Sequence, residues 1–245
     1  MLKKRESGFT LIELLVVIAI IALLMGILMP ALSRVKDQAQ TIRCSANLSQ
    51  YGIGMRMYLD DNSSRFPTRN EWMSSEEGSA WLQVGETPNG TFWPYVKAED
   101  CHMCPIFARL VKNDERFHNT RVSYLLNSYV GNDGEIWSNW LGAGVKGVKK
   151  ETEVYHPSEV VLFTEENTFT IPDYSNYPYN DNLFTCGNAE RQIDNYATFH
   201  NTGDRELGSV NIVFVDGHCD SRPRAMTDEE LDEGFRLAWP KKEIP

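Results

Sequence analysis

Residues 9–29 form an apolar run of 21 residues in which Glu13 is the only ionisable side chain. At about 1.5 Å of rise per residue, such a run makes a helix roughly 31 Å long, enough to cross the hydrocarbon core of a bilayer. A chain with this segment must give it lipid or other apolar helices as a neighbour, and must fold its remaining residues beyond it. Lys3, Lys4 and Arg5 precede the run. The positive-inside rule then keeps the N-terminus cytoplasmic and sends everything after Met29 outward, in a single pass.

Glu13 is the anomaly in this segment. An acid near mid-helix costs about 2.5 to 3.5 kcal/mol on insertion scales, less near an end. A cation about 4 Å away at an effective dielectric of about 20 returns on the order of 4 kcal/mol, which is enough to tip the balance. An α-ammonium meets the need: a cut between Gly8 and Phe9 would place the new N-terminus one helical turn from Glu13, on the same helix or on a neighbour. Glu13 therefore reads as an assembly device.

The residues Lys3-Lys4-Arg5-Glu6-Ser7-Gly8, followed by Phe9-Thr10-Leu11-Ile12-Glu13 and an apolar run, resemble the N-terminus of type IV pilins and of the pseudopilins of type II secretion. The resemblance implies a prepilin peptidase that removes the leader after Gly8 and methylates Phe9. It also implies a filament in which Glu13 pairs with the N-terminus of an adjacent subunit, so the partners are this chain, other pilin-like subunits and an inner-membrane assembly platform. The implied location is the inner membrane, with the C-terminal domain periplasmic or extracellular. Pro30 falls where many such proteins carry a helix-kinking proline, and Gly26 adds local freedom.

Two plainer readings compete. A secretory signal has a basic start and an apolar core, and Ala31-Leu32-Ser33 imitates a small-residue cleavage site, yet the 16 uncharged residues 14–29 are long for such a core and Glu13 sits at its edge. A simple single-pass anchor leaves Glu13 without a role. The main functional alternative is a membrane-anchored periplasmic binding or metal-binding protein that does not polymerise.

The 245-residue chain has a net charge of −10, and without residues 1–8 it would carry 21 basic and 33 acidic residues, net −12. That balance disfavours nucleic acid and anionic lipid as partners. The layout expected is a leader at 1–8, a transmembrane helix at 9–30, an amphipathic stem at 31–62 and one globular domain at 63–245. In the stem, Leu28, Leu32, Val35, Ala39, Ile42, Ala46 and Ile53 recur at steps of three and four except at Ser49, which predicts a sticky face against the domain, opposite Arg34, Lys36, Asp37, Gln38 and Arg43. Asp60-Asp61-Asn62-Ser63-Ser64 and Pro67 end the helix. Gly52 and Gly54 weaken it by about 1 kcal/mol each against alanine and would let another element come close.

Residues 43–52, continuing through 57–62 to Phe66-Pro67, resemble a pseudopilin subgroup found in planctomycete-like bacteria. Beyond them, 70–119 reads as irregular loops containing Trp72, Trp81 and Trp93. Strand-like runs follow at 122–130, 160–164, 196–199 and 210–215, the last leading through Asp216-Gly217 into a hairpin. The fold class expected is α+β: a long N-terminal helix packed on a C-terminal antiparallel meander. His200 with Asp216-Gly217 resembles the histidine-then-Asp-Gly motif of the same subgroup. Fifteen residues separate His200 from Asp216 here, more than in that motif, which implies an inserted loop at 201–208. The motif reads as structural, with Asp216-Gly217 making the turn and His200 bonding to nearby backbone.

No nucleophile elbow, Walker loop or dinucleotide fingerprint is present, so no catalytic residue is expected and the chain does not read as an enzyme. Glu165-Glu166 reads as a solvated strand end, and the loop aromatics as packed rather than as a carbohydrate surface. Cys101-His102-Met103-Cys104 is the one metal-like or redox-like motif. Zinc would need two more ligands, which His118, His156, His200, His218, Cys186 and Cys219 offer only as scattered single candidates. An oxidising compartment instead favours structural disulfides among Cys44, Cys101, Cys104, Cys186 and Cys219, with Cys44–Cys104 and Cys186–Cys219 equal among the pairings. No metal or cofactor is expected. Calcium is the nearest candidate, but 131–135 and 173–181 match no spaced ligand loop, and turn formation explains Asn132-Asp133-Gly134 as well.

Overall fold

A computed structural model describes residues 11–68, 72–73, 89–114, 122–132, 147–165, 183–184, 196–201, 208–223, 238 and 240–242. Its first element is one helix, α1 (Leu11–Asp61), of 51 residues with Pro30 inside it, about 76 Å long at the standard rise. The helix is continuous through Gly26 and Pro30. It ends where the polar run predicts. Asn62 folds its side-chain amide back onto the Tyr58 carbonyl at 2.8 Å. Ser63 and Ser64 then take left-handed φ values of 56° and 57°, and the Ser64 N–H bonds to the Leu59 carbonyl, satisfying carbonyls that the helix end leaves open.

The domain is a five-stranded sheet formed by β1 (Tyr124–Asn127), β2 (Val161–Glu165), β3 (Leu183–Phe184), β4 (Ser209–Phe214) and β5 (Cys219–Pro223), in the order β3-β1-β2-β4-β5. β1, β2, β4 and β5 are antiparallel neighbours in chain order, which is the expected meander; β3 adds a short parallel pair at the β1 edge. β1 and β2 are buried at every position, as strands covered on both faces are. The expected strand at 196–199 forms no regular ladder, and its segment joins β4 through an isolated bridge between His200 and Ser209. A second short helix, α2 (Pro105–Val111), begins at Cys104 and lies against the stem, where Arg109 reaches Asp37 at 2.5 Å.

Both stem glycines are close-approach points. A Cβ on Gly52 would stand 3.0 Å from Val213 Cγ1 and 3.2 Å from the Gly217 carbonyl oxygen, and one on Gly54 would stand 2.5 Å from Val96 Cγ2. The hairpin turn itself uses Gly217 at φ +92°, a conformation that excludes a Cβ cheaply only when none is there. Around Tyr51 the core is aromatic: its ring centroid lies 5.2 Å from Phe163, 5.4 Å from Tyr124, 5.9 Å from Phe92 and 6.3 Å from Trp72. The loop aromatics Trp72 and Phe92 are thus core residues.

The stem's orientation corrects the expectation. The face turned to the domain is Thr41, Cys44, Leu48, Tyr51, Met55 and Tyr58, while the aliphatic stripe points outward, with Leu32 69%, Val35 60%, Ile42 64% and Ile53 63% exposed and Ala39 and Ala46 exposed beside them. Two residues of offset turn a helix by about 200°, so stripes starting at 42 and 44 lie on opposite sides. The domain side is built from small, polar and aromatic residues that mesh with the sheet, a composition that hydrophobic periodicity passes over.

Candidate functional site

Among the described residues, two places carry more than packing. The first is the outer surface of α1. Every residue from Leu11 to Met29 is exposed, and an apolar window near the N-terminus is long enough to cross a membrane by length and composition. The outward stripe of Leu32, Val35, Ile42, Ile53 and Met57 continues that surface along the domain-bearing half of the helix. Apolar surface of this extent marks a lipid or protein contact. Glu13 stands in the first turn of α1. Gly8, Phe9, Lys3, Lys4 and Arg5 lie outside the described residues.

The second place is buried at the junction of stem, α2 and sheet. Cys44 on α1 and Cys104 at the start of α2 form a disulfide with Cα atoms 5.1 Å apart, closing a separation of 60 residues. In the chain-entropy view a loop of that length is worth about 4 kcal/mol. Beside it lie Glu165, the last residue of β2, and His200. One ligand atom from each of Cys44, Cys104, Glu165 and His200 falls within 4.8 Å of all the others, and all four residues are 0% exposed. His200 Nε2 is 3.1 Å from Glu165 Oε2 and 3.4 Å from Cys104 Sγ. His200 Nδ1 is 3.1 Å from the Ser209 carbonyl oxygen. A carbonyl only accepts, so Nδ1 carries a proton and donates it. Burial alone pulls the His200 pKa down, but the Glu165 carboxylate and the Ser209 carbonyl outweigh it and hold the pKa above its ordinary value.

Glu165 is a correction: it is a buried acid paired with His200 across 3.1 Å, and no other hydrogen-bond donor reaches its oxygens among the described residues. Glu166 lies outside the described residues. The sequence signal for Glu165 was weak, a single acid closing the apolar strand Val161-Leu162-Phe163-Thr164, because only the pairing of distant segments shows what it faces.

The Cys101–Cys104 motif does not act as a unit. Cys104 is tied to Cys44, whereas Cys101 is a buried free thiol that burial pushes up to about 11, leaving it protonated and unreactive at neutral pH. His102 Nδ1 lies 2.5 Å from the Tyr51 hydroxyl, and its ring stacks on Trp93 at 4.8 Å. Among the described residues Cys219 is also a free thiol, 3.0 Å from Ser49 Oγ; Cys186 lies outside the described residues. Asp216 and Gly217 form the β4–β5 turn, where Asp216 Oδ1 accepts the His218 N–H at 3.1 Å. Of the two loops weighed for calcium, only Gly131 and Asn132 are described.

Residues 3–29 match the model of the prokaryotic N-terminal methylation motif. The chain is 33% identical over 103 residues to the type IV wide pilus major component PilA4 of Thermus thermophilus, covering 42% of this chain and 73% of that protein. The chain belongs to the type IV pilin-like family. It is also 33% identical over 75 residues to the type II secretion system core protein G of Aeromonas hydrophila, 31% of this chain and about half (52%) of that protein. No solved structure matches significantly. The described part of the motif match, residues 11–29, lies on the apolar first half of α1. All four residues of the buried cluster of this pilin-like protein lie beyond the motif match.

Proposed function

We infer that this chain is a structural subunit of a type IV pilus-like filament, the class that includes secretion pseudopili, and that it is not an enzyme. The observation carrying this is the outward apolar face of α1, which continues from the membrane-length segment to Met57 and so offers one surface first to lipid and then to neighbouring stems. Prepilin peptidase cuts after Gly8 and Phe9 is methylated. The helix is drawn from the inner membrane by an assembly platform, with the C-terminal domain on the outer side. In the filament, Glu13 meets the Phe9 ammonium of an adjacent subunit, and Gly26 with Pro30, which lacks an N–H, gives the helix a place to bend.

The magnitudes set the size of the effect. Removing the pair forfeits on the order of 4 kcal/mol of attraction but also removes an insertion cost of about 3 kcal/mol. About 1 kcal/mol per subunit remains, a factor of about 5 in each addition step that compounds along a polymer. Glu13→Ala should therefore insert normally and yield few filaments, and the mature chain from native envelopes should begin at methylated Phe9 by mass analysis. Recovery of the chain with Met1 attached, or wild-type filament yield from Glu13→Ala, would refute the reading.

A further inference from the structure

We propose that Cys44, Cys104, Glu165 and His200 form a tetrahedral zinc site when the two cysteines are dithiols, a closed site that locks the stem onto the sheet. Tetrahedral zinc bound at about 2.3 Å to sulfur and 2.0–2.2 Å to nitrogen and oxygen sets ligand atoms roughly 3.3–3.8 Å apart. His200 Nε2 already stands 3.1 Å from Glu165 Oε2 and 3.4 Å from Cys104 Sγ, and the full set is confined within 4.8 Å.

Three further features point to an ion at this place. Glu165 is fully buried, with His200 as its sole close polar partner among the described residues, and a buried carboxylate so thinly compensated is costly, a deficit that a bound cation removes. His200 donates Nδ1–H to the Ser209 carbonyl, the outer-shell arrangement that fixes the tautomer of metal-bound histidines, and turns Nε2 toward Glu165 and Cys104, where an ion would take the place of its proton. Finally, two sulfurs and a nitrogen suit zinc rather than calcium or magnesium, which take oxygen ligands. With two thiolates, one carboxylate and a neutral imidazole, the bound site carries a net charge of −1, and it has no position left for water, so its role is structural.

The disulfide seen between Cys44 and Cys104 is the metal-free alternative of the same pair, and zinc enters the dithiol form in which a chain is synthesised. In this reading, the histidine of the C-terminal His200…Asp216-Gly217 motif is a ligand, and the Asp216-Gly217 turn packs against Gly52 of the same stem.

The test uses the full chain in detergent, isolated without oxidant, with its thiol state read from intact mass, and with Zn2+ and Co2+ as probes. The dithiol form should bind one Zn2+ per chain. Co2+ in its place should give the visible bands of a tetrahedral ion and a thiolate charge-transfer band. Because loss of a ligand exceeds loss of an outer-shell partner, Glu165→Gln and His200→Ala should each weaken zinc by more than about 100-fold. Cys101→Ser should bind as the parent does. Glu165→Gln preserves shape, so it serves if His200→Ala does not fold. The proposal is overturned if the dithiol chain binds no Zn2+, if it binds no Co2+ in tetrahedral thiolate form, or if Glu165→Gln and His200→Ala bind zinc like the parent.

Discussion

Replacing Tyr51 by phenylalanine tests how the stem is fastened to the domain. The Tyr51 hydroxyl is wholly buried and lies 2.5 Å from His102 Nδ1, while its ring touches Trp72, Phe92, Tyr124 and Phe163. Phenylalanine keeps every ring contact and removes one oxygen. The net value of a typical internal hydrogen bond is about 0.5–1.5 kcal/mol, and leaving a buried partner unsatisfied costs about 1–3 kcal/mol. The expected loss is therefore about 1–3 kcal/mol. Tyr51→Ala, which also removes the ring, should cost about 3–5 kcal/mol. Trp72 beside Tyr51 makes intrinsic fluorescence a local reporter, so denaturant unfolding of the full chain in detergent measures both variants. If the loss arises at His102, then combining Tyr51→Phe with His102→Phe, which keeps a flat ring on Trp93, should cost at least about 1 kcal/mol less than the sum of the single variants. A Tyr51→Phe variant within about 0.5 kcal/mol of the parent, together with an additive double variant, would refute the reasoning.

The outward stripe gives a second expectation: Ile42→Asp, at a position 64% exposed, should leave the unfolding midpoint within about 0.5 kcal/mol while abolishing filaments in electron micrographs, and normal filaments would remove that face from the interface. Gly52→Val should destabilise by about 3 kcal/mol or more, since its Cβ meets the Gly217 carbonyl at 3.2 Å, whereas Gly26→Ala, with nothing within 4 Å, should be neutral or stabilising by about 1 kcal/mol; equal effects at both positions would contradict the close approach. Burial holds the Cys101 thiol at about 11 against an ordinary value of 9.0. The protonated thiol is favoured by folding, so its contribution is complete below pH 9 and is lost between about pH 9 and 11. Alkylation of Cys101 at pH 8 should accordingly require unfolding, and rapid labelling at Cys101 in the folded chain, located by peptide mass and distinguished from the half-buried Cys219, would overturn that assignment.

Much of this protein is legible from local chemistry. The apolar run with one acid dictates a membrane-length helix with a special position at Glu13, because composition and rise per residue suffice for that inference. The polar stop at Asp60-Asp61-Asn62-Ser63-Ser64, the β4–β5 hairpin at Asp216-Gly217 and the close approach at Gly52 are equally local, since turns and glycines act through their own backbone. Which side of the stem meets the domain was not legible: the aliphatic stripe and the Cys44-Leu48-Tyr51-Met55-Tyr58 stripe share one period, and only packing against the sheet decides between them. The same holds for the buried cluster. Cys44, Cys104, Glu165 and His200 come from four segments that sequence spacing does not relate. They meet because β2 lies between β1 and β4 and because the bridge from His200 to Ser209 turns the histidine inward. The sequence alone determined a pilin-like stem and an α+β domain; the tertiary structure decided which face of that stem is left for neighbours and brought four distant side chains to one point, because non-local pairing rather than residue order sets distances in a folded chain.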